Sequence, residues 1–153
     1  MNNQINLVES LNTSQILVGL DLGTKTLGVA VSDRYKIIAS PLSTIQRNGT
    51  KKDLLKLKEI LNDYEIGGFI VGLPLSLDNS ENQQTQLVRN FNKELIDFFS
   101  LPSVFWDERF SSDVIFKEMR RSNMSKNKIK NKLDQQSASY ILQGYLERYR
   151  KNK

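Results

Sequence analysis

Three acidic residues far apart in the chain, Asp21, Glu108 and Asp134, stand where hydrolytic chemistry could be assembled. Asp21 interrupts the apolar run Ile16 to Leu22, Glu108 follows a short apolar stretch that closes with Trp106-Asp107, and Asp134 opens a helical stripe continued by Ala138, Ile141 and Tyr145. The 153-residue chain has neither histidine nor cysteine. That removes imidazole bases, the serine triad in its usual form, thiolate nucleophiles and Cys- or His-ligated zinc. Carboxylates remain, supported by hydroxyls, Lys and Arg. Converging carboxylates raise one another's pKa values unless a cation lies among them, and an all-oxygen ligand set suits Mg²⁺ or Mn²⁺, as one or two ions. Such a site activates water and stabilises a departing oxygen, which is what phosphodiester hydrolysis needs. Lys25, with Thr24 beside it, and Arg109 neighbour these carboxylates in sequence and can hold phosphate oxygens. Plainer roles are open too. Asp21 can accept hydrogen bonds from the turn after it, and Asp134 can be a first-turn carboxylate favoured by the helix dipole by about 0.3–1 kcal/mol.

For these acids to meet, the elements carrying them must converge. The stretch ILVGLDLGTKTLGVAVSD, residues 16–33, predicts a β-hairpin turning at Gly23-Thr24-Lys25-Thr26. In its first strand Ile16, Val18, Leu20 and Leu22 take one face and Leu17, Gly19 and Asp21 the other. With both faces apolar, it reads as a central strand. Lys36 to Ile45 predicts a third strand, with Pro41 favouring an edge or a bulge. Thr50 is placed to cap a helix from about Lys51 to Tyr64, stopped by Gly67-Gly68, and Phe69 to Gly72 reads as a buried parallel strand. A helix from about Glu81 to Phe99 is expected to present Leu87, Val88, Phe91, Leu95 and Phe98 on one side. Ser103 to Trp106 predicts a fifth strand, Ser112 to Arg121 a helix, and Leu133 to Arg148 the last helix. The segment between them, Ser122 to Lys132, is read as a loop or the first turns of that helix. The order predicts an α/β fold with a mixed five-stranded sheet, its first three strands antiparallel and the rest parallel, flanked by helices. Parallel strands end on one edge, so Asp21 and Asp107-Glu108 are expected to approach there, with Asp134 on the helix face that packs against the sheet.

Length predicts one domain, residues 16–149, between a loose N-terminal tail at 1–15 and a C-terminal tail at 150–153. No apolar run approaches the roughly 20 residues of a membrane span, and the polar start lacks the features of a signal peptide. A cytoplasmic protein is expected. The net charge of +5 is uneven: from Lys117 onward 11 basic residues face 3 acidic ones, leaving −3 on residues 1–116. Lys126, Lys128 and Lys130 lie in that basic end, which suits a polyanion such as nucleic acid, although a merely solvated lysine-rich helix has the same composition.

Four blocks carry a more specific signal: GLDLGTKTLGVAVSD at 19–33, VGLPLSLDNSENQQ at 71–84, WDERFSSDVIFKEM at 106–119 and DQQSASYILQGYL at 134–146. In order and in register they resemble the signature blocks of the YqgF/RuvX family. These are Holliday-junction-resolvase-like nucleases with a ribonuclease H-like fold, also described as pre-16S rRNA processing nucleases. The first block alone is weak, since actin-like ATPases and sugar kinases share Asp-Leu-Gly-Thr. The resemblance implies that Asp21, Glu108 and Asp134 form the acidic triad. It also implies a cytoplasmic enzyme maturing the 5′ end of small-subunit ribosomal RNA, with the ribosomal precursor as partner. The chain departs from the usual pattern at Thr26, where a basic residue is common, at Asn79 and Asn82, where glycines are frequent, and at Phe110. Three other readings stand beside it. One is an assembly factor that binds rRNA without cutting. Another is resolution of four-way DNA junctions, which normally needs a symmetric dimer where this sequence shows no obvious dimer stripe, so a monomer or weak homodimer is expected. The third, an actin- or kinase-type ATPase, is disfavoured because it needs a second domain of comparable size.

Overall fold

The computed structural model describes residues 6–75, 81–107 and 125–149, with residues 126–135 as backbone only. Strands β1 (Ile16–Leu22), β2 (Thr26–Ser32), β3 (Ala39–Gln46), β4 (Ile66–Leu73) and β5 (Ser103–Asp107) form one sheet ordered β3-β2-β1-β4-β5. The pairs β1–β2 and β2–β3 are antiparallel, and β1–β4 and β4–β5 are parallel, as the sequence pattern predicts. β1 is the middle strand. Pro41, which has no N–H for the ladder, sits on the edge strand β3, beside the register shift at Val29/Ala30.

Alternation along β1 divides the interior into two cores. Ile16, Val18, Leu20 and Leu22 join the core beneath helices α2 (Thr50–Ile60) and α3 (Gln83–Phe99), where Leu54, Leu57, Val88, Phe91 and Leu95 pack against them. Leu17 faces the other core, with Ile70, Val104 and Trp106, under helices α1 (Leu7–Ser10) and α4 (Lys126–Tyr149). The stripe read from sequence is the buried side of α4: Ala138, Ile141 and Tyr145 are at most 3% exposed. Helix α4 begins at Lys126, so the segment holding Lys126, Lys128 and Lys130 is helical backbone rather than a loop. The helix expected at 112–121 lies outside the described residues.

Several expectations need correction. The N-terminal segment is not loose from residue 6 onward: Leu7 and Val8 of α1 are buried in the second core. The Leu7 N–H donates to the Tyr145 hydroxyl at 2.9 Å, and Lys36 Nζ donates to the Asn12 carbonyl at 2.6 Å. Partial burial lowers the Lys36 pKa, while the neighbouring Asp33 charge opposes that shift. Gly67 and Gly68 do not stop a helix but lie inside β4, beside its register shift with β1, where α1 and the residues after it press on the strand. A Cβ at Gly68 would lie 2.9 Å from Leu7 Cδ1. Helix α2 starts at Thr50 with Gly49 (φ 92°) as its N-cap, and it ends at Ile60. On α3, Leu87 and Phe98 are exposed, and Thr85 and Asn92 are buried in their stead. Asn82 is the N-cap of α3 and makes a reciprocal capping box with Thr85.

Tyr145 ties the terminal segment to α4, and burial pushes its hydroxyl pKa up to about 12. Tyr145→Phe leaves the buried Leu7 N–H without this acceptor, so a loss of about 1–3 kcal/mol is expected in urea unfolding. The raised folded pKa also fixes a pH dependence. The stability Tyr145 contributes is complete below its unfolded pKa near 10, and is lost as pH climbs from there toward 12. Stability curves against pH should show this alkaline decline in the wild type and lack its Tyr145 component in Tyr145→Phe.

Candidate active site

Asp21 occupies the penultimate position of the central strand, half-buried, directly opposite Gly28 of β2. Two glycines bring α4 to its side. A Cβ at Gly19 would lie 2.7 Å from both the Ala138 carbonyl oxygen and Leu142 Cβ, so the helix rests on the bare backbone of β1. At Gly28 an added Cβ would lie 3.5 Å from Ala138 Cβ and 3.7 Å from Asp21 Cβ. Asp21 is therefore on the α4 face of the sheet, level with Ala138, and the missing side chain at Gly28 leaves space beside it. Leu142 is nearer the start of β1 than Ala138, so α4 runs against the strand direction. Asp134 is four residues before Ala138, roughly 6 Å along the helix axis, toward and past the carboxyl edge of β1.

The same edge receives β5. Leu20, Val71 and Phe105 share one row across the sheet, and Asp21 and Asp107 come one and two residues after it. Glu108 and Arg109 follow Asp107 in sequence and lie outside the described residues, as do Asn79 and Phe110. The side chains of Asp134, Lys126, Lys128 and Lys130 are likewise not described, though all four residues belong to α4. Thr24 and Lys25 are exposed at the tip of the hairpin, and Thr26 is the first residue of β2.

The turn itself is closed by its backbone, the Gly23 N–H donating to the Thr26 carbonyl at 2.8 Å. Among the described residues, the Asp21 carboxylate takes part in no hydrogen bond or ion pair, so the plainer role as turn acceptor is not the one it fills there. A half-buried carboxylate without donors is costly, and with only oxygen ligands available it fits a hard divalent cation. No group of three acidic, His or Cys side chains able to hold a metal occurs among the described residues; Asp21 is the one acid of the set whose side chain is described.

Two flanking residues escaped the sequence reading. Gln84, in the first turn of α3, donates its amide to the Leu22 carbonyl at 3.0 Å and so braces the strand end beside Asp21. Arg47, just after β3, donates to the Gly23 carbonyl at 3.1 Å. Neither contact has a local sequence signal, because the partners are 62 and 24 residues away. Gly28 had one: a glycine inside a strand marks close approach of backbone or ligand.

The sequence profile of the RuvX family, described as Holliday junction resolvase, matches residues 15–148, a span that holds all four blocks. The chain belongs to the RuvX family. A protein of Methylocella silvestris named "Putative pre-16S rRNA nuclease" is 42% identical over 137 residues, covering 90% of this chain and 85% of its own. One of the same name from Rhodobacter capsulatus is 42% identical over 132 residues, covering 86% and 83%. Among solved structures, T. thermophilus RuvC in complex with a Holliday junction substrate superposes with a TM-score of 0.53 at 12% identity, over 88% of this chain and 95% of that one. That likeness shows the fold, which is ribonuclease H-like. This RuvX-family chain is a nuclease, a hydrolase of phosphodiester bonds in nucleic acid.

Proposed function

We propose that this chain is a metal-dependent endonuclease of structured RNA that trims the 5′ end of pre-16S rRNA during assembly of the small ribosomal subunit in the cytoplasm. The observation that carries the reading is Asp21: a half-buried carboxylate with no donor among the described residues, at the carboxyl edge of the central strand, facing the helix that bears Asp134. In this reading Asp134, on α4, and Glu108, the residue that follows β5 in sequence, complete the acidic set. When bound, Mg²⁺ or Mn²⁺ supplies charge neutralisation and a nucleophile at neutral pH. Asp21, Glu108 and Asp134 orient that charge toward one phosphate. Lys25, Thr24 and Arg109 hold the phosphate oxygens, and Lys126, Lys128 and Lys130 grip the flanking backbone. Relatives named for pre-16S rRNA at 42% identity support the substrate.

The family description favours a second substrate, the four-way DNA junction. A 5′-labelled pre-16S fragment and a labelled four-way junction, each incubated with the protein in Mg²⁺, in Mn²⁺ and in chelator, separate the readings. Cleavage of the RNA at one position, dependent on the ion, is the expected result. Paired nicks in the junction alone would move the assignment to resolvase, and binding of the RNA with no cleavage under any condition would make the protein an assembly factor.

A further inference from the structure

The turn that carries Thr24 and Lys25 is exposed, yet its backbone is clamped from below by one residue, Arg47. The Arg47 N–H donates to the Lys25 carbonyl at 2.9 Å, and its guanidinium donates through Nη1 to the Gly23 carbonyl at 3.1 Å. On the core side the same guanidinium donates through Nε to Asp53 Oδ2 at 2.6 Å and lies 5.8 Å from the centre of the Phe91 ring. Asp53 is 1% exposed, and its other oxygen accepts the Asn48 N–H at 2.8 Å. A buried carboxylate of this kind is stable only while its cation stays in place, so Arg47 is held fast on one side and reaches the turn with the other.

We propose that Arg47 is a positioning residue: anchored on Asp53, it holds the Gly23–Lys25 turn in the form that presents Lys25 to a nucleic-acid phosphate. This rests on the reading of Lys25 as a phosphate contact. The fork of a guanidinium lets one side chain bond a carboxylate and a carbonyl in different directions, which an ammonium on a flexible stem does not reproduce. A turn ordered before binding loses less freedom when it closes on the phosphate.

The test uses the full chain and a fluorescein-labelled pre-16S RNA fragment, with affinity read by anisotropy over a series of KCl concentrations in the absence of cleavage-supporting ion. Lys25→Ala is expected to weaken binding and to lower the salt slope by about one. Arg47→Lys keeps the formal charge and still pairs with Asp53. It should nevertheless weaken binding roughly tenfold, the size of one charge-assisted hydrogen bond, and lower the salt slope by about one as well. In the double variant the Arg47→Lys effect should vanish, because there is no Lys25 left to position. Asp53→Asn, which loosens the anchor while keeping an acceptor for Asn48, should repeat the Arg47→Lys result and serves in its place if that variant does not fold. A wild-type salt slope in the folded Arg47→Lys or Asp53→Asn protein, or full additivity with Lys25→Ala, overturns the positioning role while leaving Lys25 as a contact. An unchanged Lys25→Ala overturns both.

Discussion

Asp21→Asn is expected to lower the rate of ion-dependent cleavage by at least about a hundredfold, the lower end of what losing one transition-state-stabilising group costs, while RNA affinity stays within about threefold of wild type. The substitution is nearly isosteric, and among the described residues it breaks no hydrogen bond or ion pair. Its structural cost should therefore be small. What it removes is a negative charge at the carboxyl edge of the central strand, and with it the attraction for a hard cation. Asp134→Asn should behave in the same way, since α4 is seated by Ala138, Ile141, Leu142 and Tyr145. Single-turnover rates with Mg²⁺, beside thermal unfolding of each variant, check both. Wild-type rates in either variant would remove that acid from the catalytic set, and a collapsed thermal midpoint would mean that the residue is structural.

The second large effect is expected at Gly19. Adding a single methyl there places Cβ 2.7 Å from the Ala138 carbonyl oxygen and from Leu142 Cβ, neither of which is the free end of a flexible side chain. Helix α4 must lift or slide. Overpacking of this kind costs about 1–3 kcal/mol, and Gly19→Val should cost more than Gly19→Ala. The functional loss should exceed the loss of folded protein, because α4 also carries Asp134, and misplacement by about 1 Å can cost on the order of a hundredfold in rate. Urea unfolding, with cleavage rates taken at a temperature where both proteins remain folded, separates the two effects. A Gly19→Ala protein of wild-type stability and rate would show that α4 does not have to rest on β1.

The hairpin, the middle strand and the sides of that strand were legible because they depend on local rules. Alternation with period two sorts Leu17, Gly19 and Asp21 from Ile16, Val18, Leu20 and Leu22, and the two cores divide along that line. The α4 stripe was legible for the same reason at helical period. On α3 the same rule overreached: Leu87 and Phe98 are apolar yet exposed, while the polar Thr85 is buried because the N-terminal cap of the helix employs it. At Gly67-Gly68 the composition pointed to a break, but these glycines make room for α1 and the residues after it against a continuous strand.

The ingredients of the site follow from sequence alone: with no histidine or cysteine, oxygen ligands are what the chain can offer an ion, alternation puts Asp21 on the face of Leu17 and Gly19, and the turn that begins at Gly23 puts it near the end of its strand. Tertiary structure decided the rest: that Asp21 keeps no partner among the described residues, that α4 lies on Gly19 and Gly28, that α1 seals the second core through Tyr145, and that Arg47 reaches back to the hairpin turn. The division is physical. A period along the chain encodes which way a side chain points, but which distant backbone it meets depends on packing between elements, and no local pattern carries that information.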